Sequence, residues 1–200
     1  LRAAAQITVT AWVNTQNTKV WSLVAGHGKN TVLPTWGLFV GSGSNIGKPA
    51  FTTRNGTGAG GADYVTLVAT TNVTAIPAWY FLAGTMNGTH TLIYVNGVQE
   101  GSTVHEVPND GIGGYDTTKA VTIGYDQVGC CNNFNGTIDE VRIYNRTLLP
   151  EEVRQLYYIG QTKIKPGNYY YRNTSSESVL WTAQNFREAY RGKYSEGLES

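Results

Sequence analysis

The stretch that decides the fold reads NGTIDEVRIYNR and occupies residues 135–146. Apolar and polar positions alternate along it, which predicts a β-strand with Asp139, Val141 and Ile143 on one face and Glu140 with other polar side chains on the opposite face. Pro150 and the two glutamates that follow it suit the first turn of a helix, where negative charge is favoured. The sequence therefore predicts a strand followed by a short helix.

Two Asn-Gly pairs upstream predict consecutive hairpins. The first pair, Asn87-Gly88, separates the apolar runs 79–86 and 90–95, and the second, Asn96-Gly97, follows directly. A tight type I′ turn needs positive φ at both central residues, and Asn-Gly meets that need at low cost. This region is therefore expected to form a meander of three antiparallel strands.

The same alternating pattern, bounded by turn residues, recurs along the first three quarters of the chain. Short strands at this spacing are typical of an all-β, two-sheet antiparallel sandwich. The predicted strands span residues 7–14, 21–25, 36–40, 50–53, 64–70, 79–86, 90–95, 98–102, 120–124 and 137–144. The large apolar side chains expected to be mostly buried are Trp12, Leu23, Phe39, Leu67, Phe81, Leu92, Val121, Val141 and Ile143.

Three motifs together resemble one family. The strand at 137–144 matches the pattern G-x-I-D-E-V-R-I-Y-N-R-x-L, the meander at 79–97 carries a W…T…G…Y-x-N-G pattern, and residues 11–13 read A-W-V. These motifs are similar to those of laminin-G-like, concanavalin-A-like jelly-roll domains over residues 6–158. The resemblance implies a jelly-roll sandwich with a short helix after its last strand, in an extracellular or cell-surface protein.

The resemblance also raises a question about the sheet edge. Family members usually carry a strand before the A-W-V strand, whereas residues 1–5 alone precede it here. Residues 7–13 are therefore expected near an edge, and an exposed edge invites pairing with another chain. The covering segment is expected to be residues 163–171 or a strand of another subunit.

The last 42 residues, 159–200, lie beyond the resemblance and form a second predicted region. Thr174 and Glu177 have the spacing of a capping box. An apolar stripe with helical spacing follows, running from Val179 through Phe186 to Tyr194. A helix over about residues 177–194 is therefore predicted in a C-terminal helical tail, with its stripe buried against a protein surface.

Composition narrows the classes of function. The 200 residues carry a formal net charge of +1, and 14% of them are charged, against about 25% in a typical domain. Lysines and arginines form no run of the kind that binds nucleic acid. The longest apolar runs are too short to cross a membrane. Neither nucleic-acid binding nor membrane insertion is expected.

The expected function is recognition. Sugar binding needs exposed aromatic rings beside polar groups. The candidates are Trp36, Tyr115, Tyr125 and Asn133, with core packing as the alternative for Trp36 and Tyr115. The leading hypothesis is a non-catalytic extracellular recognition or adhesion module that binds a glycan or a cell-surface protein. The alternative is a structural subunit of an extracellular filament or surface assembly, completed by strand or tail exchange between copies.

No catalytic group is predicted. Hydrolysis by paired carboxylates needs two acids flanking one bond, about 5–9.5 Å apart, but Asp139 and Glu140 are adjacent on a predicted strand. The resemblance implies a structural calcium ion instead, with Asp139 as the first ligand and Asp126 among the oxygen donors that complete the shell. Pairing of Asp139 with a backbone group or an arginine is the alternative.

Two covalent features complete the sequence analysis. Cys130 and Cys131 are adjacent, so the alternatives are a strained vicinal disulfide, free thiols or a bridge to another chain. Asn-x-Ser/Thr sequons predict N-glycosylation, although Asn-Gly-Thr is also ordinary turn chemistry. The six sequon asparagines are Asn55, Asn72, Asn87, Asn135, Asn145 and Asn173.

Overall fold

Ten antiparallel strands form two five-stranded sheets. The computed structural model describes residues 6–16, 19–28, 35–54, 64–75, 78–104, 120–125, 132–164, 169–172 and 178–181. Each of the ten predicted sandwich strands is present, with bounds shifted by a few residues. They are β1 (Ile7–Thr15), β2 (Ser22–His27), β3 (Trp36–Ser42), β4 (Asn45–Arg54), β5 (Tyr64–Val68), β6 (Tyr80–Met86), β7 (His90–Val95), β8 (Val98–Val104), β9 (Val121–Ile123) and β10 (Gly136–Tyr144).

The two sheets have a clear strand order. Sheet A runs β10-β1-β6-β7-β8, and sheet B runs β5-β4-β3-β2-β9. Both Asn-Gly pairs lie in the turns of the β6-β7-β8 meander, and Asn96 and Gly97 have φ of 51° and 77° there. The predicted all-β jelly-roll sandwich is confirmed.

Strand β1 lies inside sheet A, so its predicted position near an edge is wrong. It pairs with β6 on one side and with β10 on the other, from Thr8 opposite Tyr144 to Thr15 opposite Gly136. The partner is thus the strand of the 135–146 motif itself. Neither residues 163–171 nor another chain is needed to cover β1.

The core fills the space between the sheets. Its buried side chains come from both sheets and include Val9, Val13, Val24, Leu38, Val40, Phe51, Leu82, Met86, Ile93 and Val95. Burial of each large one contributes roughly 1.5–3 kcal/mol. Phe51 of sheet B reaches so close to Gly84 of sheet A that a Cβ on Gly84 would overlap its ring.

Most of the predicted core is confirmed. Trp12, Leu23, Phe39 and Phe81 are buried, and Leu67, Leu92, Val141 and Ile143 are half-buried. Val121 is the exception, because 36% of its surface is exposed. It lies on β9, a three-residue strand at the edge of sheet B, where no described strand lies beyond it.

A β-bulge interrupts β10 and corrects its predicted faces. Glu140 has φ of 50°, in the left-handed region. The register between β10 and β1 shifts between Thr10 and Trp12, because a bulge inserts one extra residue into one strand. Asp139 lies opposite Trp12, while Ile143 lies opposite Val9, which faces the core. Strict alternation predicted Asp139 and Ile143 on one face, and this prediction is wrong: the two residues lie on opposite faces of β10.

The predicted short helix follows β10 as α1 (Pro150–Ile164). Arg146 donates both terminal nitrogens to Glu152 at 2.8 and 2.7 Å, and Glu152 also accepts the N–H of Leu149. The bonds from Arg146 and from the Leu149 backbone lower the pKa of Glu152 to about 2. This exposed cluster fixes the point at which the chain enters the helix.

Aromatic and hydroxyl contacts attach the first half of α1 to sheet A. Tyr157 stacks on Trp12 with ring centroids 5.6 Å apart and lies 6.2 Å from the Phe81 ring. The hydroxyl of Thr8 donates to the carbonyl of Arg146 and accepts the N–H of Leu148, each at 2.9 Å. The outer face of sheet A is therefore a second, smaller apolar layer.

The chain divides into two compact units, Leu1–Tyr157 and Tyr158–Ser200. In the second unit, β11 (Tyr169–Arg172) and β12 (Ser178–Trp181) form an antiparallel pair. The predicted helix at 177–194 is therefore wrong over 178–181, where Val179, Leu180 and Trp181 include strand-forming types and pair with three tyrosines. Residues 182–194 lie outside the described part. No described helix is both long and apolar enough to span a membrane.

Candidate functional site

Several predicted site residues lie outside the described part of the chain. They are Tyr115, Asp126, Cys130, Cys131, Asn55 and Asn173. The predictions for sugar binding by Tyr115, calcium binding by Asp126, the state of the two cysteines and glycosylation at the two asparagines are therefore untested.

Trp36 is not a surface aromatic, which corrects its place among the sugar-binding candidates. It is 2% exposed and belongs to the core between the sheets. Its ring stacks on His27 of the neighbouring strand, with centroids 6.5 Å apart. The alternative interpretation, core packing, is the one that the structure supports.

Tyr125 and Asn133 both lie at the β9 edge of sheet B, beyond which the described residues add no further strand. β9 pairs with β2, and Gly124 continues the pairing by donating its N–H to Val24 at 3.0 Å. The chain then returns, because the N–H of Phe134 donates to the carbonyl of Gly124 at 3.0 Å. Tyr125 directly follows one of these bonded residues and Asn133 directly precedes the other, so both belong to the two segments that this bond joins. We call residues 121–125 and 132–134 the β9 rim.

Asn132 anchors the returning segment. Its backbone N–H donates to Trp21 and its carbonyl accepts from Leu23, at 2.9 and 3.0 Å. Its side-chain amide donates to the carbonyl of Val20 at 2.7 Å. Sequence reasoning missed this residue, because nothing in an Asn-Asn pair shows which asparagine holds the backbone and which faces solvent.

The β9 rim presents apolar and amide groups to solvent. Tyr125 is 57% exposed and Ile123 is 53% exposed, and Asn133 on the returning segment is exposed as well. An aromatic ring offers a flat apolar face, and an amide offers both donors and acceptors. These are the two kinds of contact that a sugar ring, with its C–H faces and peripheral hydroxyls, can use.

The acidic pair on β10 is engaged in local contacts. One carboxylate oxygen of Asp139 accepts the N–H of Glu140 at 2.7 Å, as the alternative of pairing with a backbone group anticipated. Glu140 forms an ion pair with Arg142. Among the described residues, no group of three or more His, Cys, Asp or Glu side chains is placed to hold a metal ion. Calcium at Asp139 therefore stays a prediction.

Four predicted glycosylation sites are described, and all four are exposed: Asn72, Asn87, Asn135 and Asn145. The side-chain oxygen of Asn72 accepts the N–H and the hydroxyl of Thr74, at 3.0 and 2.6 Å. That of Asn87 accepts the N–H groups of Thr89 and His90, at 3.0 and 2.7 Å. Both asparagines thus stabilise turns, and their glycosylation stays a prediction.

Glu100 on β8 is a carboxylate that accepts four hydrogen bonds. It accepts the N–H and the hydroxyl of both Thr70 and Thr71, at 2.5–2.9 Å. Burial acts to raise its pKa, but these bonds outweigh it and leave the pKa of Glu100 below its usual value. Because Thr70 follows β5, this cluster links sheet A to sheet B and has a structural role.

Solved structures with the same fold include sugar-binding domains. The CBM40 domain of Ruminococcus gnavus IT-sialidase, bound to α2,3-sialyllactose, is 17% identical and has a TM-score of 0.59, over 78% of this chain and 84% of that one. Domain 4 of the extracellular arabinanase AbnA from Geobacillus stearothermophilus, in complex with arabinotriose, is 20% identical with a TM-score of 0.54, over 78% and 68%.

A third similar structure is the native heptameric SAP-like pentraxin from Limulus polyphemus, with 14% identity and a TM-score of 0.52, over 77% of this chain and 70% of that one. At such identities the likeness establishes the fold alone. No curated protein sequence matches the chain. The laminin-G-type family model described as the concanavalin A-like lectin/glucanases superfamily matches residues 1–154. The chain therefore belongs to the concanavalin A-like lectin/glucanases superfamily.

Proposed function

We propose that the protein is a non-catalytic glycan-binding module whose site is the β9 rim. The observation that carries the proposal is that Tyr125 is 57% exposed and that Asn133, on the segment bonded beside it, is exposed too. A sugar stacks its C–H face on the ring while its hydroxyls bond the amide. Membership of a lectin-containing superfamily supports this function, as do similar folds solved with sialyllactose and arabinotriose.

The contacts of the acidic pair support a binding role without catalysis. Hydrolysis of a glycosidic bond needs one carboxyl group as acid and another as base or nucleophile. Asp139 accepts a backbone N–H and Glu140 is paired with Arg142, so neither is poised for that work. The module would hold a sugar and leave its bonds intact.

Glycan binding of this kind fits a protein that acts outside the cell or at its surface, in recognition or adhesion. The partner would be a glycan, free or attached to a cell-surface protein. Calcium at Asp139 and N-glycans on the exposed sequons would both be compatible with that setting. The structural-subunit hypothesis keeps no support from β1, because both of its sides are paired within the chain.

Substitution at the rim tests the proposed function. Arabinotriose, lactose and α2,3-sialyllactose are titrated against the full chain, with binding followed by calorimetry and by the NMR signals of the sugar. Tyr125→Ala is expected to weaken the best ligand about tenfold or more, since loss of a stacked ring costs on the order of 1.4 kcal/mol.

The matched control is Tyr144→Ala, which removes a half-exposed tyrosine from β10. It is expected to leave affinity unchanged. The proposal is contradicted if no sugar binds, or if both tyrosine variants bind as the parent does.

A further inference from the structure

Trp21 is a half-buried aromatic residue in a backbone conformation that aromatic side chains rarely adopt. Its φ is 56°, in the left-handed region, which costs free energy for any residue with a bulky side chain. Such a conformation persists only where the surrounding structure enforces it, and it is concentrated at binding and catalytic sites. Trp21 is held in this conformation from two sides.

Backbone bonds to two neighbours fix Trp21. Its N–H donates to the carbonyl of Gly41 at 2.9 Å, and its carbonyl accepts the N–H of Asn132 at 2.9 Å. The fit at Gly41 is tight, because a Cβ there would lie 2.8 Å from the carbonyl oxygen of Lys19 and 2.9 Å from the Cα of Val20. The side-chain amide of Asn132 also donates to the carbonyl of Val20 at 2.7 Å. This segment is thus held between β3 and the β9 rim.

The ring of Trp21 packs on the outer face of sheet B. Phe39 alternates along β3 with Leu38 and Val40 of the core between the sheets, so its side chain points to the opposite, outer face. The Trp21 ring meets that of Phe39 edge to face, with centroids 5.5 Å apart. A large ring already restricted by packing and still partly accessible can bind an apolar surface at little further cost in side-chain entropy.

One backbone bond joins Trp21 directly to the β9 rim. Residues 132–134 form one segment of that rim, and Trp21 is bonded to its first residue. Tyr125 follows Gly124, which is bonded to the last residue of the segment. The segment spans at most about 7 Å between its first and last residues. Trp21 and Tyr125 are thus attached at its opposite ends, with Asn133 between them.

We infer that Trp21 is a second sugar-stacking residue of the β9 rim, and that the site therefore takes a saccharide chain of two or more units rather than a single unit. The inference rests on the proposed function and adds to it a residue and a ligand length. One unit stacks on Tyr125 and another on Trp21, with the amide of Asn133 between them. The left-handed conformation of Trp21 serves to hold its ring at this place.

The test compares saccharide chains with single sugars. Arabinotriose with arabinose, and lactose with galactose, are titrated against the full chain by calorimetry and by the NMR signals of the sugar. The chain that the parent binds should bind about fivefold or more tighter than its single unit, the affinity that one further stacked ring supplies. Tyr125→Ala should weaken both ligands.

Trp21→Gly removes the ring and accepts the positive φ without strain. It should weaken the chain about fivefold or more and leave the affinity for the single sugar within about twofold. Trp21→Phe keeps an aromatic ring and should bind the chain within about threefold of the parent. The tryptophan emission should change on saturation of the parent with the chain and should not change for Trp21→Phe.

Melting curves show which variants are folded. Where Trp21→Gly does not fold, Trp21→Leu replaces it, because leucine can still pack on Phe39 without offering an aromatic face. Tyr144→Ala is the control, and it should change the affinity for neither ligand.

The outcomes separate the two claims. Equal affinity for the chain and the single sugar, a folded Trp21→Gly that binds the chain as the parent does, or an equal loss for both ligands overturns the role of Trp21 and leaves glycan binding at Tyr125 standing. Absence of binding by all four sugars overturns the proposed function, and the inference with it. Selective loss of the chain in Trp21→Gly, with both ligands dependent on Tyr125, supports both.

Discussion

At the scale of single residues, Glu100 shows how one carboxylate can hold two sheets together. Its four hydrogen bonds come from the Thr70 and Thr71 segment, which follows β5, while Glu100 itself lies on β8. Each bond to an ionised acceptor is stronger than its neutral counterpart. The cluster therefore ties the edge strands of the two sheets together, at the end of β5 and near the start of β8.

The first prediction concerns pH. Because the pKa of Glu100 is lowered in the folded protein, its stabilisation is fully present above the unfolded-state pKa of about 4.3 and is lost as pH falls through the folded-state pKa. Glu100→Gln should therefore lower the free energy of unfolding most at pH 7 and progressively less towards pH 3. Urea denaturation at four pH values measures the difference.

Glu151→Gln is the control for the pH experiment. Glu151 is an exposed glutamate in the first turn of α1, so its removal makes the same change in net charge without touching the cluster. A difference between parent and Glu100→Gln that stays constant from pH 7 to pH 3 would refute the role assigned to the ionised carboxylate.

The second prediction concerns the contact between Gly84 and Phe51. A Cβ on Gly84 would overlap the ring of Phe51, and the core has no room to move that ring away. Gly84→Ala should lower the free energy of unfolding by about 1–3 kcal/mol, the usual cost of overpacking. Chemical denaturation of the purified variant gives the value.

A double variant separates overlap from a general intolerance of alanine at this position. Gly84→Ala combined with Phe51→Leu should be less destabilised than the sum of the two single variants, because the smaller side chain makes room for the methyl group. Strict additivity would show that the ring is not the cause.

At the scale of elements, the bulge at Glu140 decides which side chains of β10 face the core. A residue with positive φ is costly unless it is glycine, asparagine or aspartate, and most costly when it is β-branched. Glu140→Val should therefore destabilise the protein by about 1–2 kcal/mol, whereas Glu140→Gly should relieve backbone strain. Thermal melting in parallel compares the two variants.

Both changes at Glu140 also remove its ion pair with Arg142. Arg142→Gln is the control, because it removes the ion pair and leaves residue 140 unchanged. If the valine and glycine variants lose the same stability as Arg142→Gln, the effect comes from the ion pair and the argument from backbone conformation fails. A valine variant less stable than both others supports the conformational cause.

The positions of the strands were predictable from the sequence, whereas the side chains that face the core in β10 were not. Alternating apolar positions predict strands, and Asn-Gly pairs between them predict hairpin turns. The β6-β7-β8 meander was therefore predicted correctly. The bulge at Glu140 has no such signal, because glutamate is not a residue type that marks positive φ. The pairing of β1 with β10 depends on a contact between distant segments, which local patterns do not encode.

The candidate site was predictable to a similar degree. Tyr125 and Asn133 stand out as an aromatic and an amide in a turn-rich stretch, and the structure places both, exposed, on segments joined by the bond between Gly124 and Phe134. Trp36 has the same sequence character but packs in the core between the sheets, and every residue of its strand is buried. Exposure of an aromatic follows from strand order, which no single residue reveals.

At the scale of the whole molecule, the core between the two sheets is built from side chains of the first unit, which ends at Tyr157. A chain ending at Ile164 should therefore unfold cooperatively, with a melting temperature within about 4 °C of that of the full chain. Calorimetry measures both, and light scattering compares the mass of the two particles.

The truncation also bears on assembly. If the full chain forms a defined oligomer and the shortened chain is a monomer, residues 165–200 carry subunit contacts, and the structural-subunit hypothesis gains the support that β1 does not give it. Loss of cooperative unfolding would instead show that the first unit depends on the tail.

The position of β1 between β10 and β6 has a consequence for the order in which the fold is made. Thr8 and Arg146, which share a hydrogen bond, are 138 positions apart. At a synthesis rate of about 5–20 residues per second, that interval takes roughly 7–28 s on the ribosome. Strand β1 is buried at almost every position. Until β6 emerges, β1 has no native neighbour on either side, and from then on it still lacks β10. The sandwich can be completed only when the motif that identifies it leaves the ribosome.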